Sequence, residues 1–501
     1  MIPGLHDLAG NRTGRFLAFV AGALLVTAFA PFGFWWLAVF PPAVLLLIWE
    51  YATPRQAAWT GFTFGFGLFV AGTWWLYISL NILGGLWPPL AILLMLGLVV
   101  GNAAYIALTG YLTVRLMPAG LVRWLLVFPA CWTLAEWLRG WVLSGFPWMS
   151  LGYTQAESVV GSVAPVFGVY GVSWVLVLFA GLIAALAGMR RERLTVPLVI
   201  TGVLVATLWE LDGRVWTEAA EEPLRVRLVQ GAIPQDLKWK PEQLKPTLNL
   251  YRKLSNSDTP PDLIVWPEAA VPALPFEVRD FLQILHEDMV AQDSQLFLGI
   301  LTYKPEEGEF FNTLWAVGEE EGRYYKRHLV PFGEYFPVPG FVREILRLMN
   351  LPSEDISPGE HGQQPLYVKG VPVAPTICYE IAYGAEQLEF FPLAQLMVNV
   401  SNDAWFGDTI APYQHLQINQ FRAREAGRYM LRATNTGVTA VIGPDGSIKS
   451  RIPQFEPGYV DAEVYPQTGQ PPYLSFGNWP VVIFSSLLIG VAGLSSRRLY
   501  S

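Results

Sequence analysis

The chain has 501 residues, of which 52% are hydrophobic and only 15% are charged, whereas soluble proteins usually carry about 25% charged residues. Its formal net charge of −8 argues against nucleic acid as a partner, because proteins that bind phosphate backbones are basic. The charge is also unevenly distributed, since residues 1–212 hold 7 acidic residues, 9 arginines and no lysine. An apolar first part is therefore followed by a normally charged, acidic second part.

Eight segments are apolar and long enough to cross a membrane as helices, which requires roughly 20 mostly apolar residues. They cover about residues 14–31, 34–51, 57–80, 88–113, 121–140, 163–188, 195–211 and 476–494. A large buried helical core is the alternative, but so many long, nearly uncharged segments in a row favour the membrane. We therefore expect a transmembrane domain of seven helices in residues 1–212, a soluble domain in residues 213–475, and a last transmembrane helix with a cytoplasmic tail in residues 476–501.

The arginines predict how these helices are oriented, because loops on the cytoplasmic side of a membrane carry an excess of basic residues. They fall at both termini and on every second connection, as Arg12, Arg15, Arg55, Arg115, Arg123, Arg190, Arg191, Arg193, Arg497 and Arg498. The alternate connections are nearly free of them. The pattern predicts that both termini are cytoplasmic and that residues 213–475 lie in the periplasm or its equivalent.

The connection "RGWVLSGFPWMSLGY", which begins at Arg139, is apolar and aromatic but interrupted by glycine and proline. It fits an aromatic belt at the membrane surface or the wall of a site that lipids can reach, and the sequence leaves both open. Glu136, just before it, is the one fair candidate for an ionisable residue at mid-membrane depth.

Residues 224–465 show a different pattern, in which short β-branched runs that end in turn residues alternate with helical segments. This alternation predicts a layered α/β domain. Residues 331–358 form a long, proline-containing connection, which is either a lid or a surface excursion with its own small core. Its apolar residues beside Glu334 predict contact with the outer leaflet and control of lipid entry. They are Phe336, Val338, Phe341, Val342, Ile345 and Leu346.

Three residues with reactive side chains directly follow predicted strands: Glu268 comes after "LIVWP", Lys326 after "GRYY" and Cys378 after "APTI". In an open α/β sheet, ligands bind in the crevice beyond the strand ends. A thiol can act there as a nucleophile, a carboxylate can remove its proton, and an ammonium can stabilise the oxyanion that forms. The trio fits acyl transfer, although a buried structural cysteine and two surface charges are equally compatible with the spacing.

Several motifs resemble a known family. The segments "LIVWPEAAVP", "YYKRHLVPFGEYFP", "ICYE" and "VNVSNDAWFG" are similar to the Glu-Lys-Cys segments of the nitrilase superfamily. With the flanking apolar segments, and with "VQGAIPQDLKW" and "GFPWMSLGY", the chain resembles the bacterial apolipoprotein N-acyltransferases over nearly its full length. The resemblance implies an α/β fold, an αββα-sandwich nitrilase-like domain on an eight-helix transmembrane base, in the inner membrane of a bacterium.

The resemblance also implies a mechanism and a set of site residues. Glu268 would be the general base, Lys326 the residue that stabilises the oxyanion, and Cys378 the nucleophile that carries the acyl group as a thioester. In this ping-pong reaction a membrane phospholipid donates the acyl chain. The N-terminal diacylglyceryl-cysteine of an apolipoprotein accepts it, in the last step of lipoprotein maturation. Supporting or substrate-binding roles are implied for Glu334, Tyr379, Glu380, Trp239, Asn312 and Trp148.

No cofactor or metal is expected, because the sequence has no nucleotide-binding loop and no metal-ligand spacing among its five histidines. Cys131, the other of the two cysteines, lies in a predicted span, and we expect it to be a packed apolar residue that does not pair with Cys378. Two rival functions are a membrane-tethered amidase or nitrilase that transfers to water, and a transporter or receptor with an inactive outer domain. The scarcity of ionisable residues in the spans disfavours the transporter.

Overall fold

The computed structural model describes residue 8 and residues 10–188, 194–335 and 355–500, with side chains as far as residue 495. The apolar residues at 336–346 that are predicted to contact the membrane lie outside these ranges. The chain divides into two compact units. The first contains Met1–Trp216, Thr409–Phe421 and Pro471–Ser501, and the second contains Thr217–Asp408 and Arg422–Gln470.

The first unit is helical. Up to residue 212 its helices are α1 (Arg12–Leu25), α2 (Phe40–Ile48), α3 (Pro54–Thr73), α4 (Trp75–Tyr77), α5 (Pro88–Leu116), α6 (Phe128–Arg139), α7 (Ala164–Gly188) and α8 (Thr195–Asp212). Short 3-10 or π-helical segments lie between them at Val26–Ala28, Trp35–Val39, Trp49–Tyr51, Ile78–Leu83, Arg123–Val127, Val142–Ser144, Leu151–Gln155 and Val159–Val163. Helices α2, α3, α5 and α6 carry proline in their first turn, where its fixed φ suits the helix and its missing N–H is not needed.

Helix α3 packs against α1 and α5 so closely that a side chain is excluded at the contact points. A Cβ at Gly22 of α1 would lie 1.9 Å from the carbonyl oxygen of Phe64, and one at Gly65 would lie 2.8 Å from the Cα of Ala103 on α5. Small residues that let helix backbones approach in this way are typical of helix pairs in membranes. The glycines in this apolar region therefore have a packing role.

Within the described residues, three helical segments are long and apolar enough to cross a membrane: Pro88–Leu116, Val159–Ala187 and Thr195–Asp212. The consecutive helices Pro54–Thr73 and Trp75–Leu83, bent by 50° at their junction, would together make a fourth. Shorter apolar helices occur at Trp35–Tyr51 and Trp479–Ser495. Several apolar helices are thus present, while the full count of eight spans stays a prediction.

The predicted spans near residues 14–31 and 121–140 do not form single long helices. Helix α1 has 14 residues and gives way to a 3-10 turn. Helix α6 has 12 residues and follows a π-helical segment that contains the buried Arg123. Irregular turns and a buried charge shorten the uninterrupted helix, and average hydropathy does not register either of them.

Two charged residues of α6, Glu136 and Arg139, hold the aromatic connection that follows this helix. The Glu136 carboxylate accepts hydrogen bonds from Trp132 Nε1 at 3.0 Å and from the backbone N–H of Leu151 at 2.8 Å. Arg139 donates to the carbonyl oxygen of Trp148 at 2.6 Å. The centre of the connection is therefore folded into the first unit, and the Glu136 carboxylate is used as a structural acceptor.

The second unit contains two six-stranded sheets. Its strands are β1 (Glu218–Ala219), β2 (Leu224–Gln230), β3 (Leu263–Val265), β4 (Gln295–Lys304), β5 (Glu309–Val317), β6 (Gly322–Tyr325), β7 (Leu366–Val368), β8 (Val371–Ile377), β9 (Leu396–Ser401), β10 (Met430–Thr434), β11 (Thr439–Ile442), β12 (Ile448–Ile452), β13 (Gly458–Val464) and β14 (Gln467–Thr468). One sheet has the order β12-β11-β10-β9-β8-β7 and the other the order β13-β2-β3-β4-β5-β6. Strands β8, β9 and β10 are parallel, as are β2, β3 and β4.

Its helices are α9 (Gln235–Lys238), α10 (Pro241–Ser255), α11 (Arg279–Ala291) and α12 (Gly384–Gln387). Later helices of the chain are α13 (Ala411–Ala426), α14 (Pro472–Phe476) and α15 (Trp479–Tyr500).

The two sheets pack face to face, with β10 and β11 against β2. Helices α10 and α11 cover the other face of the β2–β6 sheet, where Leu248 of α10 and Leu282 and Leu285 of α11 share one apolar cluster with Ile264 of β3 and Leu298 of β4. Strands buried on both faces are expected to be continuous apolar runs, as "LIV" of β3 is. The predicted layered α/β domain is confirmed.

Arg227 on β2 is a buried cation that joins β2 to β13 and to the end of α10. Its Nε and Nη2 atoms donate to the two carboxylate oxygens of Asp461 on β13, each at 2.7 Å. Its Nη1 atom donates to the carbonyl oxygen of Asn256, just after α10, at 2.6 Å. One guanidinium therefore satisfies a carboxylate and a helix-end carbonyl together, a bidentate geometry that lysine lacks.

We expect Arg227→Ala to lower the free energy of unfolding by about 1–3 kcal/mol, because it removes a buried guanidinium that makes several hydrogen bonds, while its partner Asp461, which is 54% exposed, regains water. The control is Arg252→Ala, whose partner is Asp288. The Arg252 side chain is 45% exposed, against 4% for Arg227, so its loss should cost about 1 kcal/mol or less. Denaturant unfolding of the purified protein in detergent measures both, and equal losses would contradict this account of Arg227.

Candidate active site

The ends of three strands bring a carboxylate, an ammonium and a thiol together in the second unit. Glu268 comes shortly after β3, Lys326 directly after β6 and Cys378 directly after β8. All three are buried, and the Nζ atom of Lys326 lies 3.5 Å from Oε1 of Glu268. Both charges act on the pKa of the Cys378 thiol. The structure thus assembles the trio that the sequence separates by more than a hundred residues.

The Glu268 carboxylate is fixed in orientation by two donors. Asn312 Nδ2 on β5 donates to its Oε1 at 2.7 Å, and the backbone N–H of Asn402 donates to its Oε2 at 2.7 Å. Behind it, strand β4 passes so close that a Cβ at Gly299 would lie 2.7 Å from the Glu268 Cα. Ala269, the next residue, has a left-handed φ of 47°. The Glu268 carboxylate is therefore held by main-chain contacts and by one amide side chain.

Lys326 is a buried ammonium that pairs with two carboxylates. Its Nζ atom donates to Oε1 of Glu334 at 2.8 Å and lies farther, at 3.5 Å, from Glu268. Burial alone would lower the pKa of Lys326, but the carboxylates of Glu334 and Glu268 outweigh it and raise this pKa above its ordinary value. Lys326 therefore keeps its charge through the working pH range, which suits oxyanion stabilisation rather than proton transfer.

Glu334 is positioned in turn by its neighbours. Its Oε1 also accepts from Asn312 Nδ2 at 3.2 Å, and its Oε2 accepts from the backbone N–H of Val330 at 2.8 Å. The Asn312 amide thus contacts both carboxylates of the site. The structure places Asn312 and Glu334 beside Glu268 and Lys326, and their predicted supporting roles stay predictions.

Cys378 begins the 3-10 turn that follows β8, with a left-handed φ of 55°. Burial raises the pKa of its thiol, the Glu268 carboxylate raises it further, and the Lys326 ammonium opposes both. The resting thiol is therefore protonated, and attack on a carbonyl needs a base that removes the proton as the bond forms. Neither Cys378 nor Cys131 forms a disulfide in the structure, and the sequence predicts no bond between them.

Glu380 joins the segment after β6 to the end of β8. Its Oε1 accepts from the Tyr324 hydroxyl at 3.0 Å and from the backbone N–H of Arg327 at 2.6 Å. Its Oε2 accepts from the backbone N–H of Ile377, next to Cys378, at 2.7 Å. Burial raises the pKa of this carboxyl group. Glu380 is therefore a brace between the strand ends that carry the ammonium and the thiol.

The remaining predicted site residues are less central. Tyr379 follows Cys378, and its ring packs edge-on against Tyr383 at 5.2 Å between centroids. Trp239, at the end of α9, is 48% exposed. Trp148 belongs to the first unit, where its indole Nε1 donates to Oε1 of Gln414 at 2.8 Å. The contacts of these three residues with substrates stay predictions.

Lys238 is a charged residue of this site that the sequence analysis missed. It is buried, and its Nζ atom donates to the main-chain carbonyl oxygen of Glu268 at 3.1 Å. Burial lowers the pKa of Lys238 to about 8, although Glu268 acts in the opposite direction. The one sequence feature that could have drawn attention to Lys238 is its place beside Trp239 in "QDLKW". Lysine is usually exposed, so this position suggests a surface side chain and not a buried site residue.

Within the part of the chain that the structure describes, no group of three or more His, Cys, Asp or Glu side chains is arranged to hold a metal ion. The histidine nearest in sequence to Lys326 is His328, which contacts other residues. His328 pairs through Nδ1 with Glu386 at 2.8 Å and stacks on Tyr383 at 3.5 Å between ring centroids.

A buried Glu-Lys-Cys set therefore lies at the strand ends of two facing sheets, the set that the sequence motifs predict for a nitrilase-type site. The sequence model of the carbon-nitrogen hydrolase family matches residues 225–471, and the model of the apolipoprotein N-acyltransferase N-terminal domain matches residues 21–182. The chain belongs to the apolipoprotein N-acyltransferase family of enzymes, and its long apolar helices mark it as a membrane protein.

The relatives in this family are similar along their whole length. An apolipoprotein N-acyltransferase of Pseudomonas putida is 41% identical over 97% of this chain and 97% of its own. Those of Methylococcus capsulatus and Coxiella burnetii are 40% and 41% identical, over 96% and 93% of this chain and 96% and 97% of their own. Among solved structures, Nit3 of Saccharomyces cerevisiae, a member of branch 10 of the nitrilase superfamily, has a TM-score of 0.38 and 18% identity. It covers 50% of this chain and 93% of its own.

The buried ammonium of Lys238 predicts a stability that depends on pH. Because its folded-state pKa is about 8 and its ordinary value is 10.5, Lys238 costs stability below pH 8. That cost disappears as the pH rises toward 10.5 and the unfolded chain also loses the proton. We expect Lys238→Met to be more stable than the wild type at neutral pH, by up to about 3 kcal/mol.

Lys238→Met should also form the acyl-enzyme, the expected thioester on Cys378, more slowly, because the main-chain carbonyl oxygen of Glu268 loses its hydrogen-bond donor. Thermal unfolding across the pH range measures the stability difference. Lys240→Met, which removes an exposed ammonium two residues away, is the control and should change stability little. A Lys238→Met protein that is less stable than the wild type at every pH would contradict the inferred cost of burying this charge.

Proposed function

We propose that this enzyme N-acylates the N-terminal diacylglyceryl-cysteine of apolipoproteins, with a thioester on Cys378 as the intermediate. The observation that carries the proposal is the buried set in which Lys326 stays charged, the thiol stays protonated, and Glu268 is held beside them as a base. The family to which the chain belongs supplies the substrate class. The reaction is the last step of lipoprotein maturation.

In the first half-reaction, the Cys378 sulfur attacks the ester carbonyl of a membrane phospholipid while Glu268 takes the thiol proton. The negative charge that develops on the carbonyl oxygen is stabilised by the Lys326 ammonium. The C–O bond then breaks, Glu268 returns the proton to the leaving oxygen, and a lysophospholipid departs. The acyl group remains on Cys378 as a thioester, and the carboxylate is again free to act.

In the second half-reaction, the α-amino group of the diacylglyceryl-cysteine attacks the thioester, and Glu268 accepts a proton from the nitrogen. The C–S bond breaks, the thiolate recovers a proton, and the amide product leaves. Glu268 can serve both halves because Lys326 is paired more closely with Glu334 than with it. A carboxylate that was fully engaged by the ammonium would be a weaker base.

A membrane location supports this choice of substrates, because both are anchored in lipid. Most residues of helix α8 are not buried inside the protein, and its exposed side chains include Val199, Val203 and Val205. Such a surface fits contact with acyl chains. The proposed topology has eight spans in the bacterial inner membrane, with both termini in the cytoplasm and residues 213–475 in the periplasm.

A membrane-tethered carbon-nitrogen hydrolase is the second candidate, and the match of residues 225–471 to the carbon-nitrogen hydrolase family favours it. The two candidates share the thioester and differ in what attacks it. A transferase must keep water poorly placed until the amine arrives, whereas a hydrolase uses water as its substrate. The lifetime of the acyl-enzyme without acceptor therefore separates them.

The thioester predicts that the enzyme mixed with phospholipid alone gains the mass of one acyl chain. The adduct should discharge on addition of a diacylglyceryl-cysteine peptide or hydroxylamine. Cys378→Ala should abolish it, and Glu268→Gln should slow its formation by roughly 10²–10⁴-fold. Cys131→Ala is the matched control, since it removes the other thiol and should leave the adduct intact. Intact-mass spectrometry makes the measurement.

Two results would contradict this function. An adduct that persists in Cys378→Ala would place the acyl group elsewhere. Fatty acid released at the same rate with and without the peptide acceptor would identify a hydrolase.

The topology predicts where reporters are found. A reporter fused after Ser501 should lie in the cytoplasm, and one inserted between the exposed residues Asp258 and Thr259 should lie outside. Paired fusions of alkaline phosphatase and a fluorescent protein at each site give opposite readouts and control for expression. Cytoplasmic signal from the inserted reporter would show that the span count is wrong by one.

A further inference from the structure

A line of buried polar groups leads from the Cys378 thiol to a guanidinium in the middle of the sheet. The thiol hydrogen-bonds with the Ser401 side chain at the end of β9. The Ser401 hydroxyl donates to Oδ1 of Asp403 at 2.7 Å, and Arg432 of β10 donates through Nη2 to Oδ2 of Asp403 at 2.6 Å. The side chains of Asp403 and Arg432 are both fully buried.

A second line connects the same guanidinium to the backbone of the nucleophile. Arg432 donates through Nη1 to Oδ1 of Asn399 at 2.6 Å, and Asn399 donates through Nδ2 to the carbonyl oxygen of Cys378 at 3.3 Å. Asn399 also donates to Thr376 Oγ1 at 3.0 Å. Thr376, Asn399 and Arg432 are direct partners in the registers of β8, β9 and β10, so the three strands hold this line in place.

The conformation of Cys378 explains why two lines of support are needed. Its φ of 55° lies in the left-handed region, which is sparsely populated for residues other than glycine. Such a residue keeps its conformation only when its surroundings determine it strongly. The bond to its carbonyl oxygen holds the main chain, and the bond to its sulfur holds the side chain. Arg432 is the group in which these two lines meet.

Three charged groups act on the pKa of the Cys378 thiol. Burial raises the pKa of Cys378, and Glu268 raises it further, while Lys326 lowers it. The third charge, Asp403, also raises it. Arg432 is paired with Asp403 and therefore offsets a negative charge that would otherwise oppose formation of the thiolate.

We propose that Arg432 is a positioning residue for acyl transfer, which orients the Cys378 sulfur through Asp403 and Ser401 and the Cys378 backbone through Asn399. It touches neither substrate nor reacting atoms and acts through these residues. Its second effect is electrostatic, because it balances Asp403 behind the nucleophile. The inference rests on the proposed thioester mechanism, but the reactivity of the thiol can be measured without any lipid.

The test uses the full-length enzyme in detergent with Cys131→Ala, which leaves Cys378 as the one thiol. Two rates are measured for each variant: alkylation of Cys378 by iodoacetamide between about pH 6 and pH 10, and acyl-enzyme formation in micelles of phosphatidylethanolamine. Arg432→Met should slow acyl-enzyme formation by roughly 10- to 100-fold, as expected for a misplaced reacting group. It should also move the alkylation profile to higher pH, by about one unit, because Asp403 is no longer balanced.

Two further variants separate charge from position. Arg432→Lys keeps the positive charge but cannot hold both lines, so it should restore the alkylation profile while acyl-enzyme formation stays slow. Arg428→Met is the matched control. Arg428 is an equally buried arginine near the start of the same strand, and its described hydrogen bonds go to main-chain carbonyls such as those of Ala394 and Gly469. Its loss should lower thermal stability and leave both rates per folded molecule unchanged.

Several outcomes would overturn the proposal. A folded Arg432→Met enzyme with normal rates and a normal pH profile would do so, and so would an Arg428→Met enzyme with the same losses. If Arg432→Met does not fold, Ser401→Ala decides, because it removes only the hydroxyl that contacts the sulfur. Slower acylation and an altered alkylation profile support the proposal, and unchanged values reject it. A wild-type enzyme that alkylates normally but forms no acyl-enzyme would instead refute the proposed function.

Discussion

The geometry of the candidate active site depends on one buried ammonium that two carboxylates share. A buried charge is stable only when it is paired and hydrogen-bonded, and Lys326 meets this condition through Glu334 at 2.8 Å and Glu268 at 3.5 Å. The unequal distances show that the ammonium is paired more closely with Glu334 than with Glu268, which agrees with the separate roles proposed for the two acids. Lys238 adds a second cation beside Glu268. The buried Glu268 and the partly buried Glu334 thus lie beside two buried cations.

The reacting groups can be predicted from the sequence because each follows a short β-branched run, and the ends of neighbouring strands meet in space. Glu268, Lys326 and Cys378 are of this kind, and the structure brings them together. Their supports cannot be predicted in the same way. Arg432 meets Asp403 across 29 residues of chain through the register of β10 with β9, and a local pattern carries no information about that register.

The helices of the first unit can also be predicted only in part from the sequence, but for a different reason. Hydropathy averages over a window and so finds the long helices α5 and α8, but it does not detect where a helix ends. The segment near residues 121–140 begins with the buried Arg123 and a π-helical turn, both of which its apolar average conceals. Thr409–Phe421 belongs to the first unit, although its polar composition gives no sign of that. These features depend on tertiary contacts.

The manner in which Glu268 is held has an evolutionary consequence. Its carboxylate takes a main-chain donor from Asn402, its carbonyl oxygen takes Lys238, and Gly299 leaves no space behind its Cα. Because a main-chain N–H and the backbone of β4 supply part of this support, substitutions around the site other than at Lys238 and Asn312 have less effect on the position of this carboxylate. Proton transfer and substrate choice can therefore diverge independently. One scaffold can acquire a new acyl acceptor through changes around the thiol while the acid–base geometry stays constant.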